Sequence, residues 1–506
     1  MRRISRRLKE SKAVKMISIH QPVRPHLKKF FSNIVGSSFM HRYDEIVWRK
    51  GTKIYMERSG MNEQEVMEYV EELKTYGVVP GLSNMERLCE KLGNPQEELK
   101  FIHIAGTNGK GSVLSFCSEI LKSSGYRVGR YLSPTIFEYR ERMQVNGKSV
   151  SKKDLCRLME RLRDICNELV SEGKPHPTAF EVETAMAFLY FKEQKCDLVV
   201  LETGMGGRLD ATNVIRNTVL EIFTSISFDH MGVLGNSLTE IAREKAGIMK
   251  KGSVAVALKG SDEVMAVLRD KAQELSVPLV IADPAQAKGI RRSIEKQSFH
   301  YGKYRDLAIT LAGTYQIANA VLAVQAMEEL NRIGISVKER AVYQGLLKAV
   351  WPGRFQILAK KPLFIADGAH NRDGAAKLAE SIRFYFTNRR IIYIIGMLRD
   401  KEQDEILKAT CPLAEQVLTV PAPGERGMSS YELACVASNY HKQVTAADSV
   451  EEAVELALLM ADKDTVVVAF GSLSYLGNLI RIVETVSDKK GRKNIGRDVH
   501  GKQRES

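Results

Sequence analysis

The sequence predicts an α/β fold in two parts, a parallel sheet opened by a glycine-rich loop and a smaller doubly wound, Rossmann-like unit after it. Three observations carry this expectation. The apolar run FIHIA (101–105), the loop Gly106-Thr107-Asn108-Gly109-Lys110-Gly111-Ser112 and an amphipathic stretch over 113–124 closed by Gly125 read as buried strand, turn and helix. Short apolar runs then alternate with helical patterns, as the strands of a parallel sheet alternate with their covering helices. Finally, Trp351-Pro352-Gly353 breaks the chain after a helical pattern ending near Val350, and a second strand–helix series begins. At 506 residues, two domains, each able to bury a full core, are the natural expectation.

Residues 62–91 carry two helical patterns split by Gly77–Gly81, and Leu92-Gly93-Asn94-Pro95 turns the chain toward the first strand. Further strands are expected at 126–132, 197–202, 221–227 and 253–258, with helices over 151–171 and 180–194 and short strands within 285–310. Past the junction, strands at 363–366, 391–397, 416–420, 443–447 and 465–470 alternate with helices near 373–386, 402–410, 430–438 and 449–461. That is a doubly wound unit of about five strands, with the loops at the strand C-termini as the expected ligand sites.

The bulk numbers narrow the function. No apolar run approaches the ~20 residues that span a bilayer, and Met1–Lys15 lacks the apolar core of a secretory signal. No membrane association and a cytoplasmic location are expected. The seven cysteines (89, 117, 156, 166, 196, 411, 435) form no CxxC pair and read as reduced thiols. The net charge of +14 suggests nucleic acid until it is located: residues 1–60 carry 15 Lys or Arg against 4 Asp or Glu, and 488–506 carry 7 against 3, so the remainder nets −1. The basicity lies in an N-terminal segment (1–60), read as a disordered extension, and a basic polar tail (487–506). A balanced body argues against a nucleic-acid-binding face. No exposed apolar stripe stands out, so a monomer is expected.

A glycine loop between a buried strand and a helix cradles phosphate, because backbone N–H groups converge there and the helix N-terminus adds partial positive charge. Lys110 can reach the terminal phosphates of a nucleotide, and the Ser112 hydroxyl can ligate Mg²⁺. The first part is therefore expected to be a P-loop ATPase domain, although Ile104 stands where the common G-x-x-x-x-G-K-[ST] spacing has glycine. The strand 197–202 ends on Glu202, where an acid suits Mg²⁺ ligation or base chemistry beside a nucleotide. His230 follows the strand 221–227 and faces the same crevice, as a metal ligand or as a structural histidine. Lys245 reads by spacing alone as a solvated helix charge. In the second part, Asp367-Gly368-Ala369-His370-Asn371 follows a strand directly. An Asp, a His and an Asn on one turn can hold an amino acid's ammonium and carboxylate, or simply cap the next helix. Arg354 is a phosphate clamp or a hinge-surface arginine.

Together these segments resemble the folylpolyglutamate synthase/dihydrofolate synthase family, within the Mur-type ADP-forming amide ligases. The resemblance runs from about Met61 to about Val486, on FIHIAGTNGKGSV, YLSPTIFEYRERMQVNG, FEVETAMAFLYF, DLVVLETGMGGRLDATNVI, TSISFDHMGVLGNSLTEIAREKAGI, YQIANA, WPGRFQ, DGAHNRDGA and VVVAFGSLSYLG. It implies an ATP-binding domain over 61–350 and a glutamate-ligase domain over 351–486. It implies that Lys110 and the loop Gly106, Thr107, Asn108, Gly109 and Gly111 hold the ATP phosphates. Ser112 and Glu202 would ligate Mg²⁺, His230 a second Mg²⁺, and Lys245 would be carbamylated. Asn319 would touch the adenine region and Arg354 phosphate, while Asp367 and His370 would face the phosphates and the incoming L-glutamate.

The implied reaction joins glutamate to a reduced folate, to dihydropteroate, or to both, through an acyl phosphate, with release of ADP and phosphate. Three positions depart from the family's usual residues: Thr135 after Ser133-Pro134, Tyr315 before Gln316, and Arg372 after DGAHN. A Mur-type ligase acting on a cell-wall precursor is the rival enzyme, but only ~100 residues precede the glycine loop, with no obvious uridine-nucleotide domain. A catalytically dead nucleotide-binding paralogue is the other rival, opposed by the intact set Lys110, Ser112, Glu202, His230 and Lys245.

Overall fold

The computed structural model describes residues 60–77, 79–229 and 231–486, together with strands β1 (Met16–Ser18), β2 (Tyr43–Arg49) and β3 (Thr52–Glu57). His230, the tail 487–506 and the rest of 1–59 lie outside the described residues. The chain divides into two compact units. The first comprises Met1–Thr75 and Lys152–Asp164. Here β1, β2 and β3 form an antiparallel sheet in the order β1-β3-β2, within the segment read as a disordered extension. The difference has a local cause: β-branched and aromatic residues (Ile46, Val47 and Trp48; Ile54 and Tyr55) favour pleated pairing. The helix Glu63–Lys74 starts on a capping box, Asn62 with Glu65. Glu63 pairs at 2.6 Å with Lys152, which opens the helix Lys152–Ser171.

The second unit, Tyr76–Ser151 and Ile165–Ser506, holds three sheets. The largest is built from β4 (Phe101–Ala105), β5 (Val128–Tyr131), β6 (Met143–Val145), β7 (Lys148–Ser149), β8 (Leu198–Glu202), β9 (Thr218–Phe223), β10 (Val254–Leu258) and β11 (Leu279–Ala282). Their order is β11-β10-β9-β4-β8-β5-β6-β7, parallel from β11 to β5. β6 and β7 add an antiparallel edge hairpin that the sequence reading lacks. Asn146 and Gly147, both at positive φ (51° and 79°), make its turn. β9 stops at Phe223, short of the expected end at Ser227. The next residues leave the sheet to bond the glycine loop instead: Thr107 N donates to Ser225 O (2.7 Å) and Ser225 Oγ to Asn108 O (3.1 Å).

Strands β12 (Lys288–Arg292), β13 (Gln297–Tyr301) and β14 (Tyr304–Ile309) form a small antiparallel sheet. The third sheet comprises β15 (Gln356–Lys360), β16 (Leu363–Ala366), β17 (Arg390–Ile395), β18 (Gln416–Thr419), β19 (Val444–Ala446) and β20 (Thr465–Phe470), in the order β15-β16-β20-β17-β18-β19. All its pairings are parallel except β15 with β16, the edge strand that raises the expected count of about five.

The apolar runs that announced these strands are continuous because both sheet faces are covered. In β20, Val466, Val468 and Phe470 enter one core and Val467 and Ala469 the other; in β17, Ile391, Tyr393 and Ile395 alternate with Ile392 and Ile394 in the same way. A final helix over 473–486 sends Tyr475, Leu476, Leu479, Ile480 and Val483 into the second of those cores.

Candidate active site

The glycine loop leaves the C-terminal end of β4 and runs straight into the helix Lys110–Ser124. Gly109 sits at φ 93°, and a Cβ there would lie 2.6 Å from Asn319 Oδ1; glycine satisfies both constraints. A Cβ on Gly111 would lie 2.3 Å from the Trp351 ring, so the domain junction is seated on the first turn of this helix. Ser115 Oγ ties the same helix to the Val350 carbonyl at 2.8 Å. Lys110 folds back over the loop, its Nζ 3.2 Å from Gly106 O and 3.3 Å from Thr107 O. The ammonium thus stays beside the N–H groups that would meet a phosphate.

Glu202 ends β8, the neighbour of β4 in the sheet, and is 5% exposed. Burial pushes its carboxyl up to about 7, against the opposing pull of Lys110 and Arg354 and a hydrogen bond from the Ser133 N–H. Lys245 corrects the spacing-based expectation of a surface charge. It lies in the last turn of the helix Leu238–Ala246 at 4% exposure, with Nζ donating to Gly106 O at 2.9 Å. Burial, reinforced by the nearby Lys110 charge, pulls its amine down to about 7. Asp210 was not singled out by sequence. It shapes the loop after β8 by accepting from Met205 N (2.8 Å) and Thr212 N (3.1 Å).

From the second main sheet, the turn after β16 supplies the other wall. Asp367 is buried, and its carboxylate is held by three donors: Tyr315 OH (2.9 Å) and Phe355 N (2.8 Å) on Oδ2, Ala369 N (2.8 Å) on Oδ1. His370 Nδ1 lies 2.7 Å from Gly368 O, and Nε2 faces Asp229 at 4.0 Å. Burial, with the Lys401 and Arg354 charges, pulls the imidazole down to about 4, so it is neutral near pH 7. Asn371 caps the helix Arg372–Tyr385 and also reaches across to the first sheet. Its amide exchanges hydrogen bonds with Asn108 (3.1 and 3.2 Å) and donates to Asp229 (2.9 Å). Lys401 closes the cluster with an ion pair to Asp229 at 2.9 Å, each side chain 11% exposed. Asp229 and Lys401 are separated by 172 residues, and nothing in the local pattern of either marks the pairing.

Half-buried Arg354 makes no hydrogen bond or ion pair with another described residue, yet its charge reaches Glu202, His370 and Tyr315. Asn319 braces the phosphate loop at Gly109 and donates to Gln316 Oε1 (3.0 Å); Gln316 Nε2 donates to Ser112 Oγ (3.2 Å). Gln316 is a further site residue that sequence reasoning passed over. No group of three or more His, Cys, Asp or Glu among the described residues could hold a metal alone. The donor set nevertheless fits Mg²⁺: Ser112 and Glu202 offer hard oxygen donors, and Glu202 is a buried carboxylate with no ion pair among the described residues. Mg²⁺ commonly takes one or two protein oxygens and completes its shell from phosphates and water. No helix among the described residues is long and apolar enough to cross a membrane.

Comparison with known proteins identifies the family. Residues 104–327 match the Mur ligase middle domain and residues 353–473 the Mur ligase glutamate ligase domain. The fold is that of a Mur-type ligase. The dihydrofolate synthase/folylpolyglutamate synthase of Bacillus subtilis is 37% identical over 364 residues, 70% of this chain and 84% of that protein. Folylpolyglutamate synthase from Thermotoga maritima superposes with a TM-score of 0.72 at 35% identity, covering 83% of this chain and 97% of that one. Escherichia coli FolC in complex with DHPP and ADP gives a TM-score of 0.72 at 28% identity, covering 83% and 98%. The chain belongs to the folylpolyglutamate synthase/dihydrofolate synthase family of ATP-dependent, ADP-forming ligases.

Proposed function

We propose that this chain joins L-glutamate to a carboxylate of dihydropteroate, of reduced folates, or of both, using ATP and releasing ADP and phosphate. The observation that carries the reading is convergence. Lys110, Ser112, Glu202 and Lys245 stand at the strand ends of the first sheet, and Arg354, Asp367, His370 and Asn371 at those of the second, bridged by the Asn108–Asn371 amide pair. On this reading, residues 61–350 are the ATP-binding domain and 351–486 the glutamate-ligase domain, with the basic 1–60 and 487–506 outside the catalytic part. The enzyme works as a cytoplasmic monomer.

A carboxylate is a poor electrophile, because an amine cannot expel its oxide. Transfer of the γ-phosphoryl group to it gives an acyl phosphate, whose phosphate can leave. The barrier to that transfer is one of charge and position. Lys110 and the loop N–H groups hold the phosphates, and Arg354 offers a guanidinium that no described residue pairs, from the opposite wall. Ser112 and Glu202 would hold one Mg²⁺ and His230 a second, supplying charge neutralisation at the phosphates. Asp367 and neutral His370 position glutamate so that its free amine meets the acyl carbon. Contacts between the two walls exclude water, which would otherwise hydrolyse the acyl phosphate.

Lys245 fits carbamylation. Its amine, pulled down to about 7, is about half neutral at neutral pH, and that form can attack carbon dioxide, releasing a proton to give the carbamate. The product replaces a buried cation beside Lys110 with an anion. The test of function is glutamate-dependent ADP release, run in parallel with dihydropteroate and with tetrahydrofolate. Turnover with either establishes the ligase and its acceptor; turnover with neither, in a folded chain that binds ADP, refutes the reading.

A further inference from the structure

The first turn of the helix Gln316–Arg332 touches both halves of the site. Tyr315, its N-cap residue, donates its hydroxyl to Asp367 Oδ2 at 2.9 Å. One step along, fully buried Gln316 donates Nε2 to Ser112 Oγ at 3.2 Å. The Gln316 carbonyl accepts from Asn319 Nδ2 at 3.0 Å, which fixes the sense of the amide and points its N–H₂ at Ser112. Just before the turn, Thr314 N donates to Ser381 Oγ at 3.1 Å, anchoring it to the helix Arg372–Tyr385 beside the second sheet. Neighbouring residues thus hold the oxygens of two side chains that follow strands of different sheets, Ser112 after β4 and Asp367 after β16.

We propose that Tyr315 and Gln316 form a paired positioning element, in which Tyr315 fixes the Asp367 carboxylate and Gln316 fixes the Ser112 hydroxyl, so that one helical turn keeps the glutamate-facing and nucleotide-facing halves in register. The proposal rests on the ligase reading above. Asp367 Oδ2 has two donors, Tyr315 OH and Phe355 N; without the first, the carboxylate is free to rotate away from the approaching amine. Burial and the facing Asp367 raise the Tyr315 hydroxyl well above the ordinary tyrosine value, despite the opposing Arg354 charge, so it remains a donor throughout the working pH range. At Ser112, the Gln316 N–H occupies one lone pair of the hydroxyl. The other lone pair and the proton are left for a cation and a phosphate, the outer-layer orientation that metal ligands commonly need.

Three full-length variants test this, Tyr315→Phe, Gln316→Leu and Gln316→Glu. The last keeps the side-chain volume and the acceptor for Asn319 but lacks the donor, and it stands in if Gln316→Leu does not fold. Steady-state constants for glutamate and ATP are measured with melting temperatures, and ADP affinity is measured by calorimetry with and without Mg²⁺. Tyr315→Phe is expected to raise the glutamate KM or lower kcat about tenfold, the scale of losing a hydrogen bond to a charged group, with the ATP KM within about twofold. The Gln316 variants are expected to lose about tenfold in ADP affinity with Mg²⁺ present and little without it. Constants within twofold of the unmodified chain overturn the proposal. So does a parallel loss of every constant together with a lowered melting temperature, the mark of a packing role. If the unmodified chain shows no glutamate-dependent turnover, the ligase reading fails, while the calorimetry still tests the Gln316 half.

Discussion

Lys110 and Lys245 lie on the same loop carbonyl, Gly106 O, and the Lys110 charge bears on Lys245. Lys110→Ala is expected to lower kcat at least ~100-fold, the scale of removing one preorganised electrostatic stabiliser; near-normal turnover would remove Lys110 from the phosphate site. For Lys245 the pH dependence has a definite sign. A lysine amine is ordinarily protonated up to about 10.5, but here the midpoint is pulled down to about 7. Above pH 7 the neutral, nucleophilic form dominates; below it the ammonium forms and cannot take up carbon dioxide. Incorporation of label from carbon-13 bicarbonate, followed by NMR, should rise as pH increases through about 7 and disappear in Lys245→Ala. Label that is flat across that range would separate Lys245 from carbamylation. Glu202 was legible in the sequence because position alone, the end of a buried VVLE run, sets an acid at a strand tip. The burial of Lys245 was not legible: it shares a buried helix face with Ile241, Ala242 and Ala246, but its residue type argues for solvent, and the loop carbonyl that receives its Nζ, Gly106 O, lies 139 residues away in sequence. Gln316 and Lys401 are of residue types so common that their tertiary partners alone distinguish them.

At the scale of elements, local chemistry was enough wherever an element's own residues decide it. Continuous apolar runs gave β4, β8, β17 and β20, and Gly125, at φ 105°, closes the helix Lys110–Ser124 where expected. Elements defined by their partners were missed. β6, β7 and β15 are short antiparallel edges, and β9 stops early because the glycine loop competes for the backbone groups of Ser225. The helix over 473–486 anchors a loop of the first domain as well as its own core. Arg481 donates to Phe137 O at 2.8 Å, and Ile136 and Phe137 pack on the core that this helix lines. Leu479→Ala, at a fully buried position of this helix, is expected to cost about 2–5 kcal/mol by leaving a cavity. Denaturant unfolding checks this; a loss under about 1 kcal/mol would mean that the core collapses around the gap.

At the scale of the whole molecule, the two parts anticipated from sequence correspond to two separate main sheets, and the break at Trp351-Pro352-Gly353 falls between them. The polar bridge joining them could not be read from the chain, since Asn108, Asp229, Asn371 and Lys401 are far apart in sequence. Its weak point is Lys401. Lys401→Met removes the ammonium that pairs with Asp229 at 2.9 Å, and breaking a buried pair from one side is expected to lower stability by about 3 kcal/mol. A melting temperature unchanged from the unmodified chain would show that water or another donor replaces the ammonium.

Trp351, whose ring lies on the backbone of Gly111, gives the protein an optical reporter. The chain has only one other tryptophan, Trp48. In a Trp48→Phe background every indole photon would come from the ring resting on the first turn of the nucleotide helix. Adding ADP should shift or quench that emission in proportion to occupancy, so loading of the loop could be followed in real time without any folate or glutamate present. An emission spectrum indifferent to saturating ADP would mean that this turn stays still, and keeps its surroundings unchanged, when nucleotide arrives.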